Sequence, residues 1–272
     1  MTLNIARVED RLTVVSAPVG VSVYDFDFDL HFRCTHPSVF REGERCVLRV
    51  GPLADYEAEF AAKAEWGLQL INSPEEHRRA SDLEAWYPLL EDLTPRTVVF
   101  DTLPDASGVE ALGWPVFVKG ARQTSKHDPA LSIAGDAAEY EALRLAYRED
   151  PILHWQRAAV REFITLEPVA GAVPNKVRPS HEFRTFWWRG ALVGYGRYWF
   201  QVPHYDSPDL AIGLEVAREA ADRLKVPFLV VDIARTLEGR WIVIECNDGQ
   251  ESGYVGISPV TLWRNILEHE AG

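Results

Sequence analysis

Phe228-Leu-Val-Val-Asp232-Ile-Ala-Arg-Thr-Leu-Glu-Gly-Arg-Trp-Ile-Val-Ile-Glu245-Cys-Asn247 reads as a β-hairpin that brings three oxygen ligands together. Two apolar, β-prone runs flank Glu238-Gly239, which has the form of a two-residue turn. With that turn, residues facing each other have positions of constant sum, so Asp232 faces Glu245 and Val230 faces Asn247. Asn247 shares the face of Glu245, two residues on. Carboxylates directly opposite one another across a ladder repel and weaken a sheet. A hard divalent cation compensates them, and two carboxylates with an amide oxygen are magnesium-type ligands that leave room for substrate phosphates. Relief of the same repulsion predicts that Asp232→Asn leaves the fold intact without metal. The plain alternative is an edge hairpin with solvated acids, against which stand the apolar residues on both strands.

Working outward, 272 residues can bury a sizeable core and suit one large domain or two to three lobes around a cleft. That length excludes a small disulfide scaffold, and a composition of 47% hydrophobic and 25% charged residues without a low-complexity tract is that of a globular chain. The formal charge of −13 argues against broad nucleic-acid or anionic-membrane binding. Between Lys176 and Arg197 the balance reverses: Lys176, Arg178, Arg184, Arg189 and Arg197 stand against Glu182 alone, which suits a phosphate-bearing ligand or a strand with solvated basic residues. Cys34, Cys46 and Cys246 lack metal or redox spacing and read as thiols of a reducing compartment. No run of about 18 apolar residues occurs and the N-terminus has no apolar core, so a cytoplasmic location is predicted.

Residues 1–95 read as a small α/β lobe with strands at Leu12–Ser16 and Arg45–Val50 and two helices. The second helix starts at the capping box Ser73-Pro74-Glu75-Glu76 and carries Leu83, Trp86, Tyr87 and Leu90 on its apolar face, ending before Thr94-Pro95. Residues 96–272 form two further lobes, 96–170 and 171–272. The first has strands at Thr97–Phe100, Pro115–Lys119 and Ala159–Ile164 and a helix at Ala137–Tyr147. The second has a hairpin turning at Arg189-Gly190, a helix from Ser207-Pro208-Asp209 to Lys225, the Asp232/Glu245 hairpin and a helix from Ser258-Pro259. Strands and helices alternate without a regular βαβ period, so the fold class is α+β with antiparallel lobes.

Walker, GxGxxG, His-Glu-x-x-His and paired CxxC motifs are all absent. His181 beside Glu182 reads as a structural histidine, and Trp66, His77, Trp86 and Tyr87 as core or surface residues. Lys119 ends an apolar strand before the polar loop Gly120-Ala-Arg-Gln-Thr-Ser-Lys126, where it can reach a ligand phosphate as a point charge or simply snorkel. The strand Val160–Ile164 offers a backbone edge and an apolar wall suited to a nucleobase.

In order, Phe117-Val-Lys119, Arg161-Glu-Phe-Ile164, His181-Glu-Phe-Arg184, Val231-Asp232 and Ile244-Glu-Cys-Asn247 resemble the ATP-grasp superfamily. Within it the chain looks most like the clade defined by one arginine and two lysines, here Arg184, Lys119 and Lys126, with Asn247-Asp-Gly-Gln250 matching the clade's ending. The resemblance covers roughly residues 70–270. It implies an ATP-grasp-like fold in which two α+β lobes hold ATP, preceded by a small α/β lobe. It further implies that Lys119 meets the adenine edge or α-phosphate and that the backbone from Glu162 through Phe163 to Ile164 meets the adenine. Glu182 would lie near the ribose; a turn at Arg189-Gly190 also sets it opposite Arg197, so a plain salt bridge competes. Asp232, Glu245 and Asn247 match the ligands of Mg2+ (or Mn2+). Arg184 and Lys126 would be the catalytic groups, Arg184 stabilising charge on the transferred phosphoryl or the tetrahedral intermediate. The loop after Lys119 departs from the pattern, having no glycine between Gly120 and Gly135.

The implied activity is an ATP-dependent ligase that joins a carboxylate to an amine through an acyl phosphate, acting on a small molecule or peptide. A kinase with a hydroxyl acceptor keeps the same fold. A nucleotide-binding module without turnover is a third reading, disfavoured by the complete set of Asp232, Glu245, Asn247 and Arg184.

Overall fold

A computed structural model of the protein describes residues 3–21, 23–122, 131–151, 153–154, 156–174 and 176–270. Short alternating runs at the N-terminus build a five-stranded sheet from β1 (Asn4–Val8), β2 (Leu12–Ser16), β3 (Cys34–Thr35), β4 (Glu44–Arg49) and, after α1 (Tyr56–Glu65), β5 (Leu68–Leu70). β1 and β2 form an antiparallel hairpin, whereas β4 runs parallel to β2 and β5 parallel to β4. Asp55 caps α1 by accepting the Ala58 N–H, and the helix covers Val15, Leu48 and Leu70.

The Ser73 capping box forms as the sequence predicts, but the helix it opens is short: α2 (Pro74–Ser81) stops and α3 (Leu83–Leu90) begins after an extended Asp82. Tertiary bonds cause the break. The Leu83 N–H donates to the Ala121 carbonyl at 3.1 Å, and the Asp82 carboxylate pairs with the Arg122 Nε at 2.9 Å. The apolar stripe of Leu83, Trp86 and Leu90 therefore sits on α3 alone and is fully buried.

The second sheet is antiparallel throughout, with order β6-β9-β7-β8 for β6 (Thr97–Phe100), β7 (Val116–Gly120), β8 (Ile133–Ala134) and β9 (Ala158–Glu162). The helix α4 (Ala137–Tyr147), capped by Asp136, lays Tyr140, Leu143 and Tyr147 on Val116, Val118 and Val160. The third sheet is also antiparallel, of order β11-β10-β12-β13, from β10 (Glu182–Trp188), β11 (Ala191–Arg197), β12 (Phe228–Arg235) and β13 (Trp241–Asp248), with α5 (Leu210–Leu224) and α6 (Pro259–His269). Alternation along β10 divides its two faces. Phe183 and Trp187 join α3 and α5 in one core, while Phe186 and Trp188 join α6 and the N-terminal sheet in another. Glu182 and Arg184 continue that second face towards its open end.

Both hairpins of the third sheet depart from the expected pairing along their length. In the first, Arg189 and Gly190 form the tight turn with positive φ at both residues, as the sequence predicts. A bulge at Val193 then moves the register by one, so Arg197 faces Phe183 and the backbone of Tyr198 meets Glu182. The expected Glu182–Arg197 pair is thereby excluded. In the other hairpin Thr236 meets Arg240, leaving a three-residue loop of Leu237, Glu238 and Gly239 instead of the two-residue turn. A second bulge, at Ile244, restores the displaced register, so that Asp232 does face Glu245 and Val230 does face Asn247. The two departures cancel at the residues that matter.

Asn72 joins the N-terminal part to the third sheet. Wholly buried, its amide donates to the Phe228 carbonyl and accepts the Phe228 N–H, both at 2.9 Å, serving the start of β12 as a strand neighbour would. Asn72→Ala strands one buried donor and one buried acceptor, each costing about 1–3 kcal/mol, so the unfolding free energy should fall by about 2–4 kcal/mol. Urea denaturation measures this, and a loss below about 1 kcal/mol would show that Phe228 finds other partners.

Candidate functional site

The open end of the third sheet's second face gathers the site. β10, β12 and β13 lie side by side, which sets Arg184 opposite Asp232 and Asp232 opposite Glu245. The Arg184 guanidinium grips Asp232 with a two-pronged contact, Nε to Oδ1 at 2.8 Å and Nη2 to Oδ2 at 2.7 Å. Its Nη1 donates to the Gly253 carbonyl at 3.0 Å, and the plane lies over the Tyr198 ring at 5.3 Å. Burial alone would lower the Arg184 pKa, but the Asp232 charge and hydrogen bonds outweigh it and push it up. From the second sheet, the Lys119 ammonium makes an ion pair with Glu245. Arg161, buried beside them, donates to Thr97, Thr94 and the Ile244 carbonyl at 2.7–2.9 Å. Burial pushes its pKa down to about 10, with Glu245 holding it up.

The two facing acids thus have a basic partner each. Arg184 and Lys119 supply charge compensation that the sequence reading assigns to a hard divalent cation. Asn247 completes the oxygen set, and its amide has no hydrogen-bond partner among the described residues. Among those residues no three His, Cys, Asp or Glu side chains gather as a metal cluster by themselves. Two carboxylates and an amide suit a hard cation that takes its remaining oxygens from a ligand. Each carboxylate oxygen also has more than one acceptor position, so a hydrogen bond does not exhaust it.

Two cavities flank this centre. One, of about 430 Å³, has walls of Phe117, Ile133, Phe163, Ile164, Leu237 and Ile244, with Glu162 and Glu182 at its polar edge. Past the end of β9, the Ile164 backbone N–H and carbonyl take no partner among the described residues. The other, of about 510 Å³, is lined by Arg184, Glu245, Asn247, Arg122, Lys176 and Glu251. Trp199 lines both, and its indole N–H donates to Glu182 Oε2 at 3.1 Å.

The structure brings Lys119, Arg184, Asp232, Glu245 and Asn247 together and puts Glu162, Phe163, Ile164 and Glu182 on the adjoining cavity. Lys126 lies outside the described residues. The basic run does not form one stripe: Lys176 and Arg178 line different cavities, Arg189 pairs with Glu270, and Arg197 covers Tyr205. His181 is structural, hydrogen-bonded to Ser207 at 2.7 Å. Sequence reasoning missed Trp199, Arg122 and Glu251. It also placed His77 too simply, since that ring is buried, bonds Asp248 at 3.1 Å and stacks on Tyr56 at 4.0 Å. Their type and spacing carry no signal; their position in the cavity does.

Residues 74–266 match the profile of the ATP-grasp domain, family 3 of the clade named for one arginine and two lysines. Among solved structures, the chain is similar to the RimK domain protein ATP-grasp from Sphaerobacter thermophilus, at 16% identity over 86% of this chain and 87% of that one, with a TM-score of 0.57. It is similar also to D-alanine–D-alanine ligase from Bacillus anthracis complexed with ATP, at 14% identity over 84% and 79% of the two chains, TM-score 0.58. The ATP-grasp ligase PsnB complexed with a phosphomimetic variant of minimal precursor, Mg and ADP aligns at 15% identity over 84% and 77%, TM-score 0.52. At such identities the likeness establishes the fold. No curated protein matches the chain. Among the described residues no helix is long and apolar enough to cross a membrane.

The buried pair reverses the sequence expectation for Asp232→Asn. Removing one partner of a buried ion pair costs about 3–5 kcal/mol, whereas relief of a like-charge pair returns only about 0.2–1 kcal/mol. Asp232→Asn should therefore lower stability by about 2–4 kcal/mol in metal-free buffer, measured by denaturant unfolding. An unchanged midpoint would mean that Arg184 finds another acceptor.

Proposed function

The chain belongs to the ATP-grasp domains, in family 3 of the clade named for one arginine and two lysines, and from that premise we propose that it is an ATP- and magnesium-dependent ligase that joins a carboxylate to an amine through an acyl phosphate. One observation carries the reading: an apolar cavity large enough for a nucleoside adjoins a polar one, with a balanced set of buried charges between them. In this reading adenine lies against Phe163 and Ile164 with the ribose towards Glu182, and the phosphates reach Lys119. Asp232, Glu245 and Asn247 would hold Mg2+ or Mn2+, which when bound neutralises phosphate charge and orients the transferred group.

Arg184 stands at the junction. A guanidinium has five N–H donors, and its three bonds to Asp232 and Gly253 leave two for a ligand. Held rigidly by Asp232, those donors can stabilise charge that develops on the phosphoryl group or on the tetrahedral carbon without reorganising. The carboxylate attacks the γ-phosphorus, ADP leaves, and the amine displaces phosphate from the acyl carbon. Excluding water protects the acyl phosphate. The acid and amine are a small-molecule or peptide pair, and the free thiols and the need for ATP support a cytoplasmic location.

ATP binding measured calorimetrically should weaken at least tenfold when EDTA removes divalent cations; equal affinity with and without EDTA would remove the metal from the proposal. Arg184→Lys keeps the charge but loses the planar fork. Its ATP affinity should stay within about threefold while kcat falls about 10²–10³-fold, as for other groups aimed at a transition state. Parallel losses in affinity and turnover would make Arg184 a ground-state anchor.

A further inference from the structure

Glu251 lies in the loop after β13, in the wall of the cavity that also contains Arg184, Glu245 and Asn247. Its position is built from several sides. One carboxylate oxygen accepts the Leu53 N–H at 3.0 Å, and its own N–H donates to the Asp248 carbonyl at 3.2 Å. From behind, Arg49 Nη1 bonds the carbonyls of Gly249, Gln250 and Ser252 at 2.8–3.1 Å, and the Ser252 hydroxyl bonds the Asp248 carbonyl at 2.7 Å. The second Glu251 oxygen has no partner among the described residues.

Other acids around the cavity are occupied. Glu245 is paired with Lys119, and Asp248 is fully buried and accepts from Gln250 and His77. The charged and titratable groups facing Glu251 are Asp248 at the end of β13, Tyr56 from α1, His77 from α2 and Arg122 from the segment after β7. Arg122 is held by Asp82 at 2.9 Å and approaches His77 Nε2 at 3.4 Å, and neither side chain bonds Glu251. Burial pushes the Glu251 carboxyl up to about 7, with Asp248 adding to the rise and His77, the Leu53 N–H and Arg122 opposing it. A base of that strength is matched to neutral pH.

We propose that Glu251 receives the ammonium group of the acceptor in this cavity and takes one proton from it, making the neutral amine that attacks the acyl phosphate. The step rests on the ligase reading. The ammonium N–H bond breaks, its proton goes to the Glu251 carboxylate, and the electron pair stays on nitrogen. That pair forms the N–C bond at the acyl carbon, and the bond from that carbon to the bridging oxygen of the phosphate breaks. The departing phosphate takes a second proton from nitrogen and leaves as hydrogen phosphate. Glu251 returns its proton to solvent through the open cavity.

The test uses the whole protein with ATP, magnesium and the proteinogenic amino acids as carboxylate donors. Hydroxylamine, unprotonated at neutral pH, is compared as acceptor with ethylamine and glycine, which are protonated. Wild-type protein should form acyl hydroxamates and amides with release of ADP. Glu251→Gln, which keeps an acceptor for the Leu53 N–H, should lose about 10²–10⁴-fold in amide formation and at least tenfold less in hydroxamate formation. The fall in wild-type kcat/KM below about pH 7 should be absent from the variant. A raised native pKa means that the ionised carboxylate destabilises the fold as pH rises from its ordinary value of 4.5 through about 7. Glu251→Gln should therefore melt above wild type at pH 8 and lose that advantage near pH 5. If wild-type protein forms hydroxamate and the variant loses both products equally, or neither, Glu251 is not the base. If wild type forms no hydroxamate from any acid, the ligase reading fails first and the amine role falls with it. Glu251→Asp allows the same acceptor comparison should the glutamine variant not fold.

Discussion

Two carboxylates face each other across β12 and β13, and the surrounding structure is arranged so that neither lacks a cation. Asp232 is wholly buried and Glu245 largely so, in a region where an unpaired charge costs several kcal/mol. Their partners come from different places. Arg184 is the neighbouring strand's residue at the same level, so the pair forms as the third sheet forms. Lys119 belongs to the second sheet, so among the described residues the docking of that sheet brings Glu245 its basic partner. Arg161 makes the same crossing through neutral groups, reaching Thr94 and the Ile244 carbonyl. Placement of the second sheet thus contributes to neutralising the site.

Backbone irregularities set the geometry that the charges need. The bulge at Ile244 recovers the register displaced by the three-residue loop and turns the Ile244 carbonyl towards Arg161. The bulge at Val193 carries Tyr198 and Trp199 round to Glu182. Close backbone approach supports the same corner: a Cβ at Gly196 would lie 2.7 Å from the Gly256 carbonyl oxygen, so only glycine lets β11 meet the loop that leads into α6. Trp199 then lines both the apolar cavity and the polar one. An apolar wall suits a flat heterocycle and excludes water from charge transfer beside it, while the polar cavity can hold groups that must be oriented and deprotonated.

The N-terminal sheet is more than an appendage to this arrangement. Asn72 continues the hydrogen bonding of β12, Arg49 ties the loop after β13, and Leu53 fixes one oxygen of Glu251. Tyr56 stacks on His77 and shares Gln250 with Asp248. Segments far apart in the chain therefore determine where the second cavity's polar groups stand. The remote likeness to other ATP-grasp structures accounts for the common frame.

Much of the frame was legible in the sequence because it rests on local signals. Alternation marked the strands of the second and third sheets, Ser73 and Ser258 marked helix starts, and the order of short motifs ending in Glu245-Cys-Asn247 identified the family. The facing of Asp232 and Glu245 was also readable, although through two offsetting errors in loop length and bulge. What tertiary structure alone decided is anything that depends on another element's approach. The end of α2 at Asp82 follows from Ala121 and Arg122, and the failure of Arg197 to meet Glu182 follows from a bulge with no residue signature. Most of all, the sequence placed two like charges together but contained no sign of which cations would answer them. Arg184 and Lys119 do so because strand order and lobe docking bring them there, and electrostatic energy depends on distance in space and on burial, neither of which is written in neighbouring residues.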